Sequence, residues 1–114
     1  MKVNVYIGKN GLAAAENILA KRPNHNFINF DLQTNEYHIG LVIGGDLINL
    51  NILARMVESH KLVNLSGGIG KLDDRLKHTI ASQYLVVADD HYTYARLEQA
   101  IEDVQSCEKW DVEQ

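Results

Sequence analysis

Short apolar runs take turns with longer stretches of 3.6-residue periodicity along this chain, and that alternation restricts what it can fold into. Residues 3–7, Val-Asn-Val-Tyr-Ile, read as a strand closed by Gly8. Residues 11–21 read as a helix with Leu12, Ala15, Ile18 and Leu19 on one face, stopped by Pro23. Residues 27–32 and 39–43 read as the second and third strands, 47–60 as a well-buried helix and 62–65 as a fourth strand. A helix over 71–82, a fifth strand over 84–87 and a last helix over 92–107 complete the chain. The stripe of that last helix is Tyr94, Leu97, Ile101 and Val104.

Strands that alternate with helices of ten or more residues imply a parallel sheet covered on both faces. The expected fold is therefore α/β: one three-layer, doubly wound domain over residues 1–114. Its strands, about five and mostly parallel, would run in the order 2-1-3-4-5. One joint is short. Residues 31–38 hold no helix, whereas a parallel crossover normally takes a dozen residues or more. Eight extended residues reach about 26 Å, barely enough to return along a strand of about 17 Å. A hairpin turning at Thr34-Asn35, with one antiparallel edge strand, is the competing reading; the parallel one is carried forward.

With 114 residues, the chain has the length of one domain, and 46% hydrophobic against 23% charged residues sets it apart from disordered sequences. A net charge of −4 argues against a sequence-independent grip on nucleic acid or an anionic membrane. No apolar run approaches membrane-spanning length, and the Met-Lys-Val start lacks the pattern of a signal peptide. The single Cys107 rules out an internal disulfide and a cysteine-rich zinc site, so a reducing, cytoplasmic setting is expected.

Three glycine turns follow expected strands and precede expected helices: Gly8-Lys9-Asn10-Gly11, Gly44-Gly45-Asp46 and Ser66-Gly67-Gly68-Ile69-Gly70-Lys71. In a parallel sheet all three would lie at the carboxyl edge, where open α/β sheets bind ligands. Helix N-termini and close backbone approach favour an anion there, with Lys9 and Lys71 adding charge. Turn geometry alone accounts for the same glycines. The strict phosphate motifs are absent. A P-loop needs glycine where Leu65 stands and Ser or Thr where Leu72 stands, and a dinucleotide fingerprint from Gly68 needs glycine at Asp73.

Asp46, Asp89 and Asp90 would join the same edge, where carboxylates can hold Mg²⁺ or Ca²⁺. Asp46 and Asp90 are equally well placed as N-caps of helices starting at Leu47 and near Tyr92, so no metal site is assigned. Asp73 and Asp74 fall in the first turn of a helix starting at 71, where the dipole favours them. The five histidines show no metal-ligand spacing. Ser66 with His91 and Asp89 or Asp90 has the cast of nucleophile, base and orienter. A nucleophile elbow is missing, because Asn64 holds its first glycine position.

The stretch Lys61-Leu62-Val63-Asn64-Leu65-Ser66-Gly67-Gly68 resembles the fourth strand of a response-regulator receiver domain, which ends in Ser or Thr. Tyr84-Leu85-Val86-Val87 followed by Leu97-Glu98-Gln99-Ala100-Ile101 resembles the receiver's fifth strand and final helix. The resemblance runs from about Tyr37 to Asp103 and implies a flavodoxin-like fold. Of the family's working residues, Ser66 alone matches. Gly8 and Lys9 stand where the acidic pair belongs, Gly44 and Gly45 at the phosphoacceptor position with Asp46 just beyond, and Val87 or Ala88 at the lysine. The resemblance thus implies a degenerate pseudo-receiver. Separately, Ser66-Gly67-Gly68-Ile69-Gly70 is similar to a glycine turn in small bacterial Rossmann-like proteins.

The functional expectation is a small non-catalytic binding or regulatory module. It would take a partner protein or a small anionic ligand at Gly8, Lys9, Gly44, Gly45, Asp46, Ser66, Gly67, Gly68, Gly70, Lys71, Asp89, Asp90 and His91. The alternative is a small enzyme acting on a phosphorylated or nucleotide-like substrate. There Gly67, Gly68 and Gly70 would hold phosphate, and Asp89, Asp90 or His91 would move protons or hold a metal. The sequence leaves any cofactor unidentified. Trp110, in a polar tail, suits a homodimer interface or a fold-back of the tail.

Overall fold

The first apolar run winds into a helix. In the computed structural model, which describes residues 1–40 and 44–110, Val3–Asn10 forms α1 and Leu12–Ala20 forms α2. Val3 and Ile7 are the buried residues of α1. Four apart, they lie one above the other on a helix face. Gly11 separates the two helices with φ 89°, a backbone conformation that residues with a Cβ rarely adopt.

β1 (Asn29–Asp31), β2 (Glu36–His38) and β3 (Leu47–Asn49) form an antiparallel sheet in the order β2-β1-β3. Phe30 stands in register with Tyr37 on one side and Ile48 on the other. Between β1 and β2 the chain turns with Asn35 at φ 60°, which asparagine tolerates better than most residues. The buried Asp31 organises this region: its carboxylate accepts the Gln33 N–H at 2.8 Å and the Asp46 N–H at 3.2 Å.

α3 (Leu50–Leu65) follows directly. Asn49 is its N-cap, because Asn49 Oδ1 accepts the N–H groups of Asn51 and Ile52, each at 2.9 Å. Then come α4 (Ile69–Lys77), β4 (Tyr84–Val87), β5 (Asp90–Thr93) and α5 (Tyr94–Glu108). β4 and β5 pair antiparallel, with Val87 opposite Asp90. The two residues between them, Ala88 at φ 50° and Asp89 at φ 71°, form a type I′ turn. Thr93 Oγ1 accepts the Arg96 N–H at 3.1 Å and so caps α5.

The chain divides into two compact units, with the boundaries inside α3 and α5. The first is Met1–Val57 together with the described residues from Cys107 onward; the second is Glu58–Ser106. In the first, Val3, Ile7, Ala15, Ile18, Phe30 and Ile48 pack with the start of α3 around Leu53. In the second, Leu62, Leu72, Leu76, Leu85, Leu97 and Ile101 form the core. A buried polar network sits in the second unit: Ser59 Oγ donates to Asp103 Oδ2 at 2.7 Å and accepts from Arg96 Nη1 at 3.0 Å. Gln99 donates to the other Asp103 oxygen at 2.9 Å.

The doubly wound parallel sheet of order 2-1-3-4-5, and with it the flavodoxin-like assignment, is overturned: among the described residues, five helices accompany two small antiparallel sheets. Residues 3–7 are α1 and residues 62–65 are the last turn of α3, so two of the five expected strands are helical. Runs of four or five apolar residues have no period of their own, and burial partners decide their conformation. The short joint is a hairpin whose turn contains Thr34 and Asn35, but its second arm is residues 36–38. Of the expected third strand, Ile39 is exposed, and Leu41, Val42 and Ile43 lie outside the described residues. The helix expected from 47 starts at Leu50, because residues 47–49 pair with β1. The last helix likewise starts at Tyr94, after Tyr92 and Thr93 have joined β5. No helix of the described residues is long and apolar enough to cross a membrane.

Candidate functional site

Among the described residues every strand pairing is antiparallel, so no carboxyl edge of a parallel sheet gathers the glycine turns, and their glycines have local settings. Gly8 lies inside α1 and faces Trp110, and Lys9 Nζ stands 5.8 Å from the centre of the Trp110 ring. Gly44 (φ 86°) and Gly45 (φ 77°) lead into β3. A Cβ on Gly45 would run into the Asp31 carboxylate. The N-cap of α3 is Asn49 rather than Asp46, whose carboxylate meets the Met1 amino group.

Ser66, Gly67 and Gly68 end α3. Gly68 N–H bonds the Val63 carbonyl at 2.9 Å and Gly67 N–H bonds that of Asn64 at 3.1 Å. Those two bonds, with Gly67 at φ 95°, are a Schellman cap. The Ser66 hydroxyl donates to the Leu62 carbonyl at 2.7 Å, so it belongs to the same helix end and to no nucleophile arrangement. Lys71 folds its aliphatic chain over Gly67, and Gly70 is the second residue of α4. Asp73 and Asp74 lie past the first turn of α4, paired with Lys77 at 3.1 Å and His78 at 3.8 Å. Asp89 belongs to the type I′ turn, and Asp90 and His91 are exposed residues of β5. The N-cap of α5 is Thr93 rather than Asp90. Among the described residues, no group of three or more His, Cys, Asp or Glu could hold a metal ion.

A different set of residues forms a cleft of about 440 Å³ within the first unit. Ala14, Asn17, Ile18 and Lys21 line it at the i, i+3, i+4, i+7 spacing that places them on one face of α2 and its end. Tyr6 comes from α1, Phe30 and Leu32 from β1 and the residue after it, and Asn35 and Tyr37 from the turn and β2. The Phe30 and Tyr37 rings lie 4.7 Å apart at 59°, a tilted aromatic pair. Tyr37 Oη donates at 2.6 Å to the Ile18 carbonyl. That oxygen is among the last four of α2, which no intrahelical N–H satisfies. The bond therefore ties the helix end to β2 and holds one wall of the cleft.

Burial pushes the phenols of Tyr6 and Tyr37 above their ordinary value, so both stay neutral at pH 7. Among the described residues, Lys21 is the one charged residue lining the cleft. Its ammonium has no ion-pair partner among the described residues. A second groove, of about 160 Å³ in the other unit, falls below the usual 300–1,000 Å³ of ligand pockets, whereas the first falls inside it. Sequence reasoning overlooked these residues because they come from four separate elements. The one local signal was α2 itself, where Asn17 and Lys21 interrupt an otherwise apolar face.

No protein-family model, curated protein or solved structure matches this chain.

Proposed function

We propose that this protein is a non-catalytic binding module that takes a small molecule in the cleft of Tyr6, Ile18, Phe30 and Tyr37. The observation that carries this reading is the cleft's composition: among the described residues, three aromatic rings and three aliphatic side chains line it, with polar side chains at a few positions. Ligand pockets have that character, with apolar walls supplying affinity and a few polar groups supplying orientation. The single buried thiol of Cys107 accords with a cytoplasmic setting. The net charge of −4 weighs against nucleic acid as the partner. The enzyme alternative has less support, because Gly67 and Gly68 belong to a helix cap and Asp89 to a hairpin tip.

A fragment screen read by two-dimensional NMR tests the proposal. Hits should shift resonances of Tyr6, Phe30 and Tyr37. Ala14→Trp, at a half-buried lining position, should fill the space and abolish binding while leaving the core intact. Hits that perturb other surfaces, or that bind Ala14→Trp as well as wild type, would refute it.

A further inference from the structure

We infer that the ligand class of this cleft is an aromatic carboxylate, its ring against Phe30 and Tyr37 and its carboxylate at Lys21; this rests on the binding reading above. The walls argue for the ring. Tyr6, Phe30 and Tyr37 supply flat apolar surface, and tilted or offset contact with such rings adds to plain burial. The rim argues for the carboxylate. Among the described residues, Lys21 is the cleft's one charge and no acidic residue lines the space, and the side-chain amides of Asn17 and Asn35 offer N–H donors beside it. A helix C-terminus ordinarily disfavours an anion. Here the Tyr37 hydroxyl already covers the Ile18 carbonyl, which removes one of the exposed negative ends. With both phenols neutral, none of the described residues lining the cleft repels a carboxylate at pH 7.

The test uses the full chain and three probes: 2-naphthoate, its neutral isostere 2-naphthamide, and the saturated decalin-2-carboxylate. Affinities come from calorimetry and sites from NMR. Naphthoate should bind about tenfold tighter than the amide, the scale of a charge-assisted hydrogen bond. It should also bind tighter than the decalin acid. Lys21→Met, a substitution at an exposed position, should erase the acid-to-amide difference without changing the melting temperature. Equal binding of acid and amide in the cleft would overturn the carboxylate while leaving the binding reading in place. Equal binding of the two acids would overturn the aromatic ring. If none of the probes shifts Tyr6 or Tyr37 and fragments bind Ala14→Trp like wild type, both readings fail.

Discussion

Gly8 faces Trp110 so closely that a Cβ on the glycine would stand 2.5 Å from the tryptophan Cβ. It would also run into the Cys107 carbonyl oxygen. A glycine inside a helix sacrifices about 1 kcal/mol relative to alanine, and here the close approach of the C-terminal segment accounts for it. Gly8→Ala should therefore destabilise the protein by about 1–3 kcal/mol, as overpacking does, despite the better helix propensity. Urea unfolding of the variant checks this. Adding Trp110→Ala should restore only part of the loss, because the Cys107 carbonyl stays in place.

The hairpin of the second unit carries an alanine where the turn demands a left-handed conformation, Ala88 at φ 50°. That conformation is unfavourable by about 1–2 kcal/mol for a residue with a Cβ, and much less so for asparagine or glycine. Ala88→Asn and Ala88→Gly should each raise the stability, with Asn-Gly at positions 88 and 89 the most stable combination. Thermal melts of the variants decide the point, and a lower melting temperature for all of them would contradict the type I′ turn.

Acid should loosen the first unit through Asp31. The Gln33 N–H, then the Asp46 N–H and Thr34, hold its carboxyl below the usual carboxylate value, against the opposing effect of burial. A folded-state pKa below the unfolded one means that the contribution is complete above the unfolded value, about 3.9. It is lost as pH falls through that value and on through the folded pKa. Wild type should thus lose stability more steeply below about pH 4 than Asp31→Asn, which should be weaker at pH 7 and flatter in acid. Unfolding midpoints measured from pH 7 to pH 2.5 supply the comparison.

The elements with a clear period were legible in the residues alone. The spacing of Leu12, Ala15, Ile18 and Leu19 predicts a helix, and α2 spans Leu12–Ala20 with Ala15 and Ile18 buried. The stripe of Leu97, Ile101 and Val104 is buried in α5, as its periodicity requires. Alternating burial in β4, with Leu85 and Val87 inside and Tyr84 and Val86 outside, is the half-wet pattern of an antiparallel hairpin. The near-continuous apolar run Tyr84–Val87 conceals it.

Tertiary structure alone decided the rest. Residues 3–7 and 62–65 are too short to carry a period, so the neighbours that bury Val3, Ile7, Leu62 and Val63 made them helical. Strand direction is likewise a property of pairing: Phe30 lies between Tyr37 and Ile48, and nothing local to Phe30 specifies either partner. Glycine marked real features at 8, 45 and 67, but a close approach, a loop against a carboxylate and a helix cap use the same residue for different reasons. The cleft depended most on folding. Its wall is held by a hydrogen bond between Tyr37 and the Ile18 carbonyl, which only packing of a helix end against a hairpin could bring together.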